Sequence, residues 1–229
     1  SPAFKPLHEL HGPAMGEFIA SRVEVVEGDV SLPGFGIQDA EQAARLHKDL
    51  GIIVNCAGLV DFDPVLREAM STNVDGARNA AAFTLRCARA RLLHVSTCYV
   101  TGLRQGRVPE TVDPAFSPCG DAFDVETECA EIAAASEQII AAHESPDAEA
   151  AALAETLRQM RAKGQDEGNA MLLRNLLRRV KRQRLKDDLI AEGQRRAKRW
   201  EWHNIYTYSK SMAEALIAGL KAAGAAVSV

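Results

Sequence analysis

Two side chains near the carboxyl end of the sequence have the types and the spacing that proton transfer requires. Tyr206 and Lys210 lie four residues apart in a segment of helix-forming composition, so they are expected to share one helix face. A neighbouring ammonium favours the ionised phenol and lowers a tyrosine pKa from its usual value of about 10. Tyr206 is therefore suited to donate a proton to the oxygen of a carbonyl group under reduction. By itself, a Tyr-x-x-x-Lys pair is a weak signal, because most such pairs lie on solvated helix faces.

A hydroxyl group that could work with this pair follows an apolar run earlier in the chain. Thr97 comes directly after Leu92–Ser96, and its hydroxyl could hold a substrate carbonyl against the proton donor. The alternative is that Ser96 and Thr97 only cap the segment that follows. The local sequence favours neither interpretation. Tyr208 lies two residues from Tyr206, on another part of the helix surface, and is predicted to pack in the core.

Short apolar runs alternate with helical patterns between residues 21 and 97. Val23–Val26, Ile52–Val54 and Leu92–Val95 are predicted strands, and the last two are expected to be buried on both faces because their hydrophobicity does not alternate. Helical patterns cover 38–50 and 64–90. This order predicts right-handed βαβ units and an α/β fold, a Rossmann-type doubly wound parallel sheet of which this chain holds a part.

Three polar or glycine-containing motifs stand where these predicted strands end. They are Gly28-Asp29, Asn55-Cys56-Ala57-Gly58 and Ser96-Thr97. Ligands of doubly wound sheets bind at the carboxyl ends of the strands, so the three motifs are expected to meet at one edge of the sheet.

The middle of the chain interrupts this alternation with a long stretch of helix-forming composition. The predicted organisation is a partial Rossmann domain over residues 1–109, a helical insertion over 110–200, and a return to the Rossmann domain over 201–229, with the helix of Tyr206 and the start of another strand. The second half of the insertion, residues 172–199, is strongly basic.

Bulk properties exclude several classes of function. The formal net charge is -4, which does not indicate a nucleic-acid partner, and no apolar run approaches the ~20 residues of a membrane-spanning helix. The five cysteines include no Cys-x-x-Cys pair, so we expect neither a disulfide framework nor a metal site, and we predict a cytoplasmic location. Cys56 and Cys98 are predicted to be small buried residues, and His94 a hydrogen-bonded core residue.

The motifs, taken in order, resemble those of the extended short-chain dehydrogenase/reductases. Three longer strings narrow the resemblance to the fatty acyl-CoA reductases, also called male-sterility proteins. These strings are residues 25–34, His94–Gly102 and Asn204–Glu214. The basic insertion, which ends in Trp200-Glu201-Trp202, is most similar to that of the bacterial, alcohol-forming members.

This resemblance implies a role for each candidate residue. Thr97 would complete a catalytic triad with Tyr206 and Lys210, with Ser96 as the alternative hydroxyl if the register differs by one. Lys210 would also hold the nicotinamide ribose, Asp29 would bond the adenine amino group, and Asn73 would support either the structure or the cofactor. The full set assigned to the cofactor is Asp29, Val30, Asn55, Cys56, Ala57, Gly58, Asn73, Tyr206 and Lys210.

The implied reaction is reduction of a long-chain fatty acyl-CoA by NADPH, first to an aldehyde and then to a fatty alcohol. One alternative is a thioester reductase that acts on a carrier-bound acyl group, as in carboxylic acid reductases or peptide synthetases. Another is a non-catalytic fragment. The basic helix 172–199 is expected to be either a solvated arm or a surface that contacts an anionic membrane or an acyl carrier protein.

The family's glycine-rich phosphate loop is not found in this sequence, because Gly12–Gly16 contains a proline and follows no strand. The resemblance places that loop, and the residue that distinguishes NADP from NAD, upstream of residue 1. We therefore expect the isolated chain to have little or no reductase activity.

Overall fold

The structure is a computed structural model that describes residues 5–12, 14–109, 113, 115–222 and 224–229. Two helices, α1 (Lys5–His11) and α2 (Ala14–Arg22), precede the sheet region. The start of the predicted insertion falls partly outside the described residues, at 110–112 and 114.

The described residues form a three-stranded parallel sheet in the order β1-β2-β3. Strand β1 is Ile52–Asn55, β2 is Arg91–His94 and β3 is Val227–Ser228. Asn55 is paired with His94 and Leu92 with Val227, so the strands end at the same edge. Helix α3 (Ala40–Asp49) precedes β1, and its first turn is capped by the Asp39 carboxylate. The predicted strands at 52–54 and 92–95 and the start of a strand near residue 225 are confirmed.

The prediction of a strand at Val23–Val26 is wrong. This segment is not part of the described sheet, and Val25 is 90% exposed. A strand is stabilised by the hydrogen-bond ladder to a neighbour, and no described strand lies beside this segment. The chain instead forms a compact turn, in which the Asp29 amide donates to the Phe35 carbonyl at 2.8 Å.

The prediction that β1 and β2 are buried on both faces is also wrong. Helices α5 (Gly76–Arg86) and α9 (Ile205–Ala222) cover the face that carries Ile53 and Leu92. On the other face Ile52 is 67% and Val54 54% exposed. The described residues therefore form a one-sided parallel α/β layer, which agrees with part of a Rossmann-like fold and does not show the doubly wound arrangement.

The single helix predicted over 64–90 is divided into three parts. Helix α4 (Leu66–Ala69) continues into a π-helical segment, Met70–Asp75, before α5 begins. The wider π turn places the Asn73 side chain away from the helix axis and into the core, where the residue is 2% exposed. Single π turns of this kind are frequent at functional sites.

The helices of the predicted insertion are confirmed in the part that the structure describes. They are α6 (Val125–His143), α7 (Pro146–Ala162) and α8 (Ala170–Arg199). Asp124, Ser145 and Asn169 cap their amino ends through side-chain hydrogen bonds. The division of the chain into three domain ranges remains a prediction.

Helices α6 and α8 share a core with the helix of Tyr206 and Lys210. Ile132 of α6 and Ala197 of α8 belong to the same buried cluster as Ile205 and Met212 of α9. The Ile205 side chain packs directly against the backbone of α8 at Gly193, where an added Cβ would lie 2.6 Å from a side-chain carbon of Ile205. The insertion therefore supports α9 on the face that carries Ile205 and Met212, while the sheet packs against a different face of the same helix.

Candidate active site

Lys210 lies at the carboxyl edge of the sheet. It projects from α9, is only 4% exposed, and its Nζ donates to the carbonyl oxygen of Val95 at 2.6 Å. Val95 is the first residue after β2, so this bond joins the predicted catalytic helix to the edge where the polar motifs were expected. Burial lowers the pKa of Lys210, and the nearby Glu214 carboxylate and Cys56 oppose that shift.

Tyr206 lies one turn before Lys210 on the same helix, as its spacing predicted. Its backbone amide donates to the Phe62 carbonyl at 3.1 Å, and the two rings are 6.2 Å apart between centroids. The residue is half-buried, and its hydroxyl forms no hydrogen bond with another residue that the structure describes. The phenol is therefore free to bond a ligand.

The two hydroxyl residues after β2 have different partners. Ser96 Oγ donates to Glu214 Oε2 at 2.8 Å. Thr97 caps the short 3-10 turn Cys98–Thr101, since its Oγ1 accepts a long bond of 3.4 Å from the Tyr99 amide. The capping interpretation of Thr97 is thus correct, but this contact leaves its hydroxyl proton available. Its catalytic role remains a prediction.

Asn73 ties three elements together at the centre of the site. Its Oδ1 accepts from the Leu59 amide at 2.8 Å, and its Nδ2 donates to the Leu59 carbonyl at 3.2 Å and to Ser209 Oγ at 2.8 Å. A Cβ added at Gly58 would lie 3.3 Å from Asn73 Oδ1 and 3.9 Å from Lys210 Nζ. The loop after β1 therefore passes directly beside Lys210, and Asn73 holds it there.

A cleft of about 410 Å³ opens beside this loop. Gly28 and Val30 form one side, Asn55, Cys56 and Ala57 form another, and its remaining lining is mostly apolar. Two of the three predicted motifs thus meet in one cavity. Asp29 sits between Gly28 and Val30; hydrogen bonds from the Ser31 hydroxyl and amide hold the pKa of its carboxylate below the usual value. All of these bonds reach Oδ1, and Oδ2 accepts none from the described residues.

His94 and Asn55 are neighbours at the carboxyl ends of β2 and β1. Asn55 Nδ2 donates to His94 Nδ1 at 3.0 Å, and His94 is 1% exposed, so the prediction of a hydrogen-bonded core histidine is confirmed. Burial, reinforced by the charge of Lys210, lowers the pKa of His94 to about 4. The prediction for Cys56 and Cys98 is wrong, because both residues are exposed in loops that follow the strands. The prediction that Tyr208 packs in the core is confirmed: it is fully buried, with its hydroxyl donating to Glu128.

Glu214 is a site residue that the sequence argument did not identify. It lies one turn beyond Lys210, is 7% exposed, and accepts the Ser96 hydrogen bond. Burial raises its pKa, while Ser96 and Lys210 act in the opposite direction. The sequence did contain a pattern that could have identified Glu214, because residues 206, 210 and 214 follow one helix face at intervals of four.

Comparisons with known proteins identify the family of this chain. The family described as male sterility protein matches residues 2–229. Fatty acyl-CoA reductase 8 of Arabidopsis thaliana is 27% identical over 224 residues, which are 95% of this chain and 38% of the relative. Probable fatty acyl-CoA reductase 4 of the same plant is 26% identical over 87% of the chain and 34% of the relative. The alcohol-forming fatty acyl-CoA reductase of Simmondsia chinensis is 22% identical over 93% of the chain and 37% of the relative.

The chain thus spans little more than a third of the length of these relatives. None of the helices in the described ranges combines the length and the apolar character that crossing a bilayer requires. The family match covers nearly every residue of the sequence, including each element that builds the site described above. This chain belongs to the male sterility protein family, the family of the fatty acyl-CoA reductases.

Proposed function

We propose that this chain forms part of an enzyme that uses NADPH to reduce a long-chain fatty acyl-CoA to the aldehyde and then to the fatty alcohol. The observation that carries the proposal is the bond from Lys210 Nζ to the Val95 carbonyl, because it fixes the Tyr206 helix at the carboxyl edge of the parallel sheet. The fatty acyl-CoA reductases among its relatives support the substrate class.

The residues around this edge fit a nicotinamide cofactor. The cleft of about 410 Å³ between the 28–30 turn and the 55–57 loop has a largely apolar lining suited to an adenine ring, and Asp29, between the lining residues Gly28 and Val30, would supply the acceptor for the adenine amino group. Gly58 keeps the space beside Lys210 open, since a side chain there would press against Asn73. The cofactor, when bound, supplies the hydride.

The roles of the chain's own groups follow from their surroundings. Tyr206 would donate a proton to the carbonyl oxygen of the substrate, and Lys210 would favour the ionised phenol that remains. Thr97 would orient the same carbonyl oxygen through its free hydroxyl proton. Lys210 would also hold the nicotinamide ribose, for which its two ammonium protons not bonded to Val95 are available.

The test is to incubate the purified full-length protein with NADPH and palmitoyl-CoA and to follow NADPH oxidation, with the fatty alcohol quantified by mass spectrometry. We expect alcohol in proportion to the NADPH consumed. A protein that oxidises NADPH only with an acyl group on a carrier protein would instead be a carrier-dependent thioester reductase. A protein that binds NADPH and reduces neither substrate would be a non-catalytic member of the family.

We further propose that helix α8 brings the enzyme to an anionic membrane surface. Four basic residues, Arg174, Arg178, Arg182 and Lys186, follow one exposed helix face at intervals of four, and none forms an ion pair with another described residue. The sequence as a whole is acidic, with a net charge of -4, so this basic row is a local feature. Each such cation contributes about 1 kcal/mol of attraction near an anionic lipid surface.

Cosedimentation of the full-length protein with phosphatidylglycerol vesicles tests this surface, with phosphatidylcholine vesicles as the neutral comparison. We expect binding to the anionic vesicles that falls when Arg174, Arg178 and Arg182 are changed to Glu. The matched control reverses three exposed arginines elsewhere, Arg86, Arg91 and Arg107, and should leave binding largely unchanged. Equal loss in both variants, or binding only to an acyl carrier protein, would contradict a membrane role for the row.

A further inference from the structure

Two consecutive residues after β2 are held by two residues of α9 that lie one helical turn apart. The Val95 carbonyl accepts from Lys210 Nζ at 2.6 Å, and the Ser96 hydroxyl donates to Glu214 Oε2 at 2.8 Å. The two α9 residues in these contacts are buried, because Lys210 is 4% and Glu214 7% exposed. A buried carboxylate is costly unless it is paired or hydrogen-bonded, and Glu214 meets this requirement through the Ser96 hydroxyl and the nearby Lys210 ammonium.

The hydrogen bond from Ser96 decides which hydroxyl can serve a substrate. A serine has one O–H proton, and here it is donated to a carboxylate. Thr97, the next residue, only accepts the 3.4 Å bond from the Tyr99 amide, so its own proton is not used. Glu214 thus removes Ser96 as a competing donor and leaves Thr97 as the hydroxyl with a free proton.

Glu214 is also the carboxylate that faces the Lys210 ammonium. From other elements, Cys56 in the loop after β1 and His94 on β2 also lie close enough to act on Lys210, and Tyr206 lies one turn away on α9 itself. His94 is held neutral by burial and by its bond with Asn55, so it supplies no charge that could replace that of Glu214. The balance of charge around Lys210 therefore depends on this one carboxylate.

We propose that Glu214 is a positioning residue of the reductase site. Its carboxylate accepts the hydrogen bond from the Ser96 hydroxyl, which leaves Thr97 as the substrate-facing hydroxyl, and its negative charge keeps Lys210 in the ammonium form. This inference rests on the proposed reductase function. Glu214 touches neither substrate nor cofactor in this scheme and acts through Lys210 and Ser96.

The consequence is a defined change in pH dependence. Removal of the negative charge at position 214 destabilises the neighbouring ammonium, so Lys210 loses its proton at a lower pH. In the full-length protein, Glu214→Gln, which keeps an acceptor for Ser96 but not the charge, should move the alkaline limb of kcat down by roughly one pH unit. Glu214→Asp, which keeps the charge, should restore most of the original profile. Glu137→Gln, at an exposed position of α6, is the control for loss of a carboxylate and should leave the profile unchanged.

A second measurement is independent of turnover. The titration of the Lys210 side chain is followed by NMR in protein labelled with ¹³C-lysine, with the signal assigned by its loss in Lys210→Arg. We expect a lower midpoint in Glu214→Gln than in the unmodified protein. An unchanged midpoint would overturn the proposal, even if the protein proved to have no acyl-CoA reductase activity, whereas a lowered midpoint without any turnover would refute only the proposed function.

Should Glu214→Gln fail to fold, Ser96→Ala carries the test, because it keeps the carboxylate and removes its hydrogen bond. The bond from Ser96 lowers the pKa of Glu214, so its loss should move the acid limb of kcat to higher pH. Ser211→Ala removes a buried serine on α9 that bonds only the Tyr208 carbonyl, and it should leave that limb in place. An acid limb that is the same in both variants would count against the role of Glu214.

Discussion

At the scale of single residues, the chemistry depends on which polar groups remain free after the structural hydrogen bonds are made. The side-chain amide of Asn73 is hydrogen-bonded to Leu59 and Ser209, and the Ser96 hydroxyl donates its proton to Glu214. Among the described residues, the hydroxyls of Tyr206 and Thr97 are not committed in this way. The candidate donors are thus the groups that the fold does not need for its own stability, while the hydrogen bonds of Asn73 and Ser96 hold the surrounding residues in place.

Tyr206→Phe tests this distinction directly. The substitution removes only the phenolic oxygen, which bonds no described residue, so we expect the stability of the protein to be retained. General acid catalysis contributes roughly 10²- to 10⁴-fold, and kcat with palmitoyl-CoA should fall by that order. Tyr99→Phe, at an exposed tyrosine near the same edge, is the matched control and should keep most of the activity. Retention of full activity in Tyr206→Phe would remove the proton-donor role.

His94 predicts a dependence of stability on pH. Burial lowers its pKa to about 4 in the folded protein, below the ordinary histidine value of 6.5. The unfolded chain therefore binds the proton more readily, and the stabilisation is fully present above pH 6.5 and lost as the pH falls toward about 4. The corresponding free energy is about 3 kcal/mol.

Urea denaturation at several pH values between these limits measures the effect, because the midpoint should fall with pH. His94→Gln should make that fall shallower, although the variant starts from a lower midpoint. His203→Gln, at an exposed histidine, should reproduce the slope of the unmodified protein. Parallel slopes for all three proteins would show that another group is responsible.

At the scale of helices and strands, sequence patterns predicted the elements whose formation is determined by their own residues. The capped helices α3 and α6 to α8 and the strands β1 and β2 follow from local composition and periodicity. The strand at Val23–Val26 could not be excluded in this way, because its formation depends on a partner strand and not on its own residues. The π segment around Asn73 was missed for a similar reason, since the partners of Asn73, Leu59 and Ser209, lie outside the segment itself.

The same dependence on distant partners explains which features of the site could be predicted from the sequence. Spacing of four placed Tyr206 and Lys210 on one helix face, and the ends of apolar runs placed the loop after β1 beside them. The hydrogen-bond partner of each polar group was not predictable. Ser96 and Glu214, for example, are separated by more than a hundred residues and meet only because α9 packs beside the end of β2.

The packing of α9 against the insertion predicts a large effect at Arg196. This residue of α8 is buried and bonds Glu128, which in turn accepts from the Tyr208 hydroxyl of α9. Arg196→Met would leave the Glu128 carboxylate buried without its cation, and the free energy of unfolding should fall by about 3–5 kcal/mol. The adjacent Arg195 pairs with Glu192 but is 59% exposed, so Arg195→Met should cost about 1 kcal/mol or less. Equal midpoints in urea for the two variants would contradict a structural role for the buried pair.

At the scale of the whole molecule, the sheet has one covered and one uncovered face. Ile52 and Val54 of β1 and Leu93 of β2 remain exposed opposite the helices, and β1 also has a free edge in the described structure. Apolar side chains on an open strand favour pairing with another chain. The relatives that match this chain are nearly three times as long as the matching region, so we expect further parts of a full-length protein to cover this face.

The last prediction follows from that incomplete sheet. The 229-residue chain, expressed by itself, should oxidise NADPH with palmitoyl-CoA little or not at all, while the full-length protein does so under the same conditions. The reason is that a cofactor cleft bounded by β1 and the 28–30 turn needs both to be held in place, and the turn is attached here to a segment without a neighbouring strand. Circular dichroism would verify that the isolated chain is folded. In size-exclusion chromatography, substitution of Ile52 and Val54 by Thr should reduce the self-association of this chain. Robust turnover by the isolated chain would mean that the three-stranded sheet alone holds the cofactor.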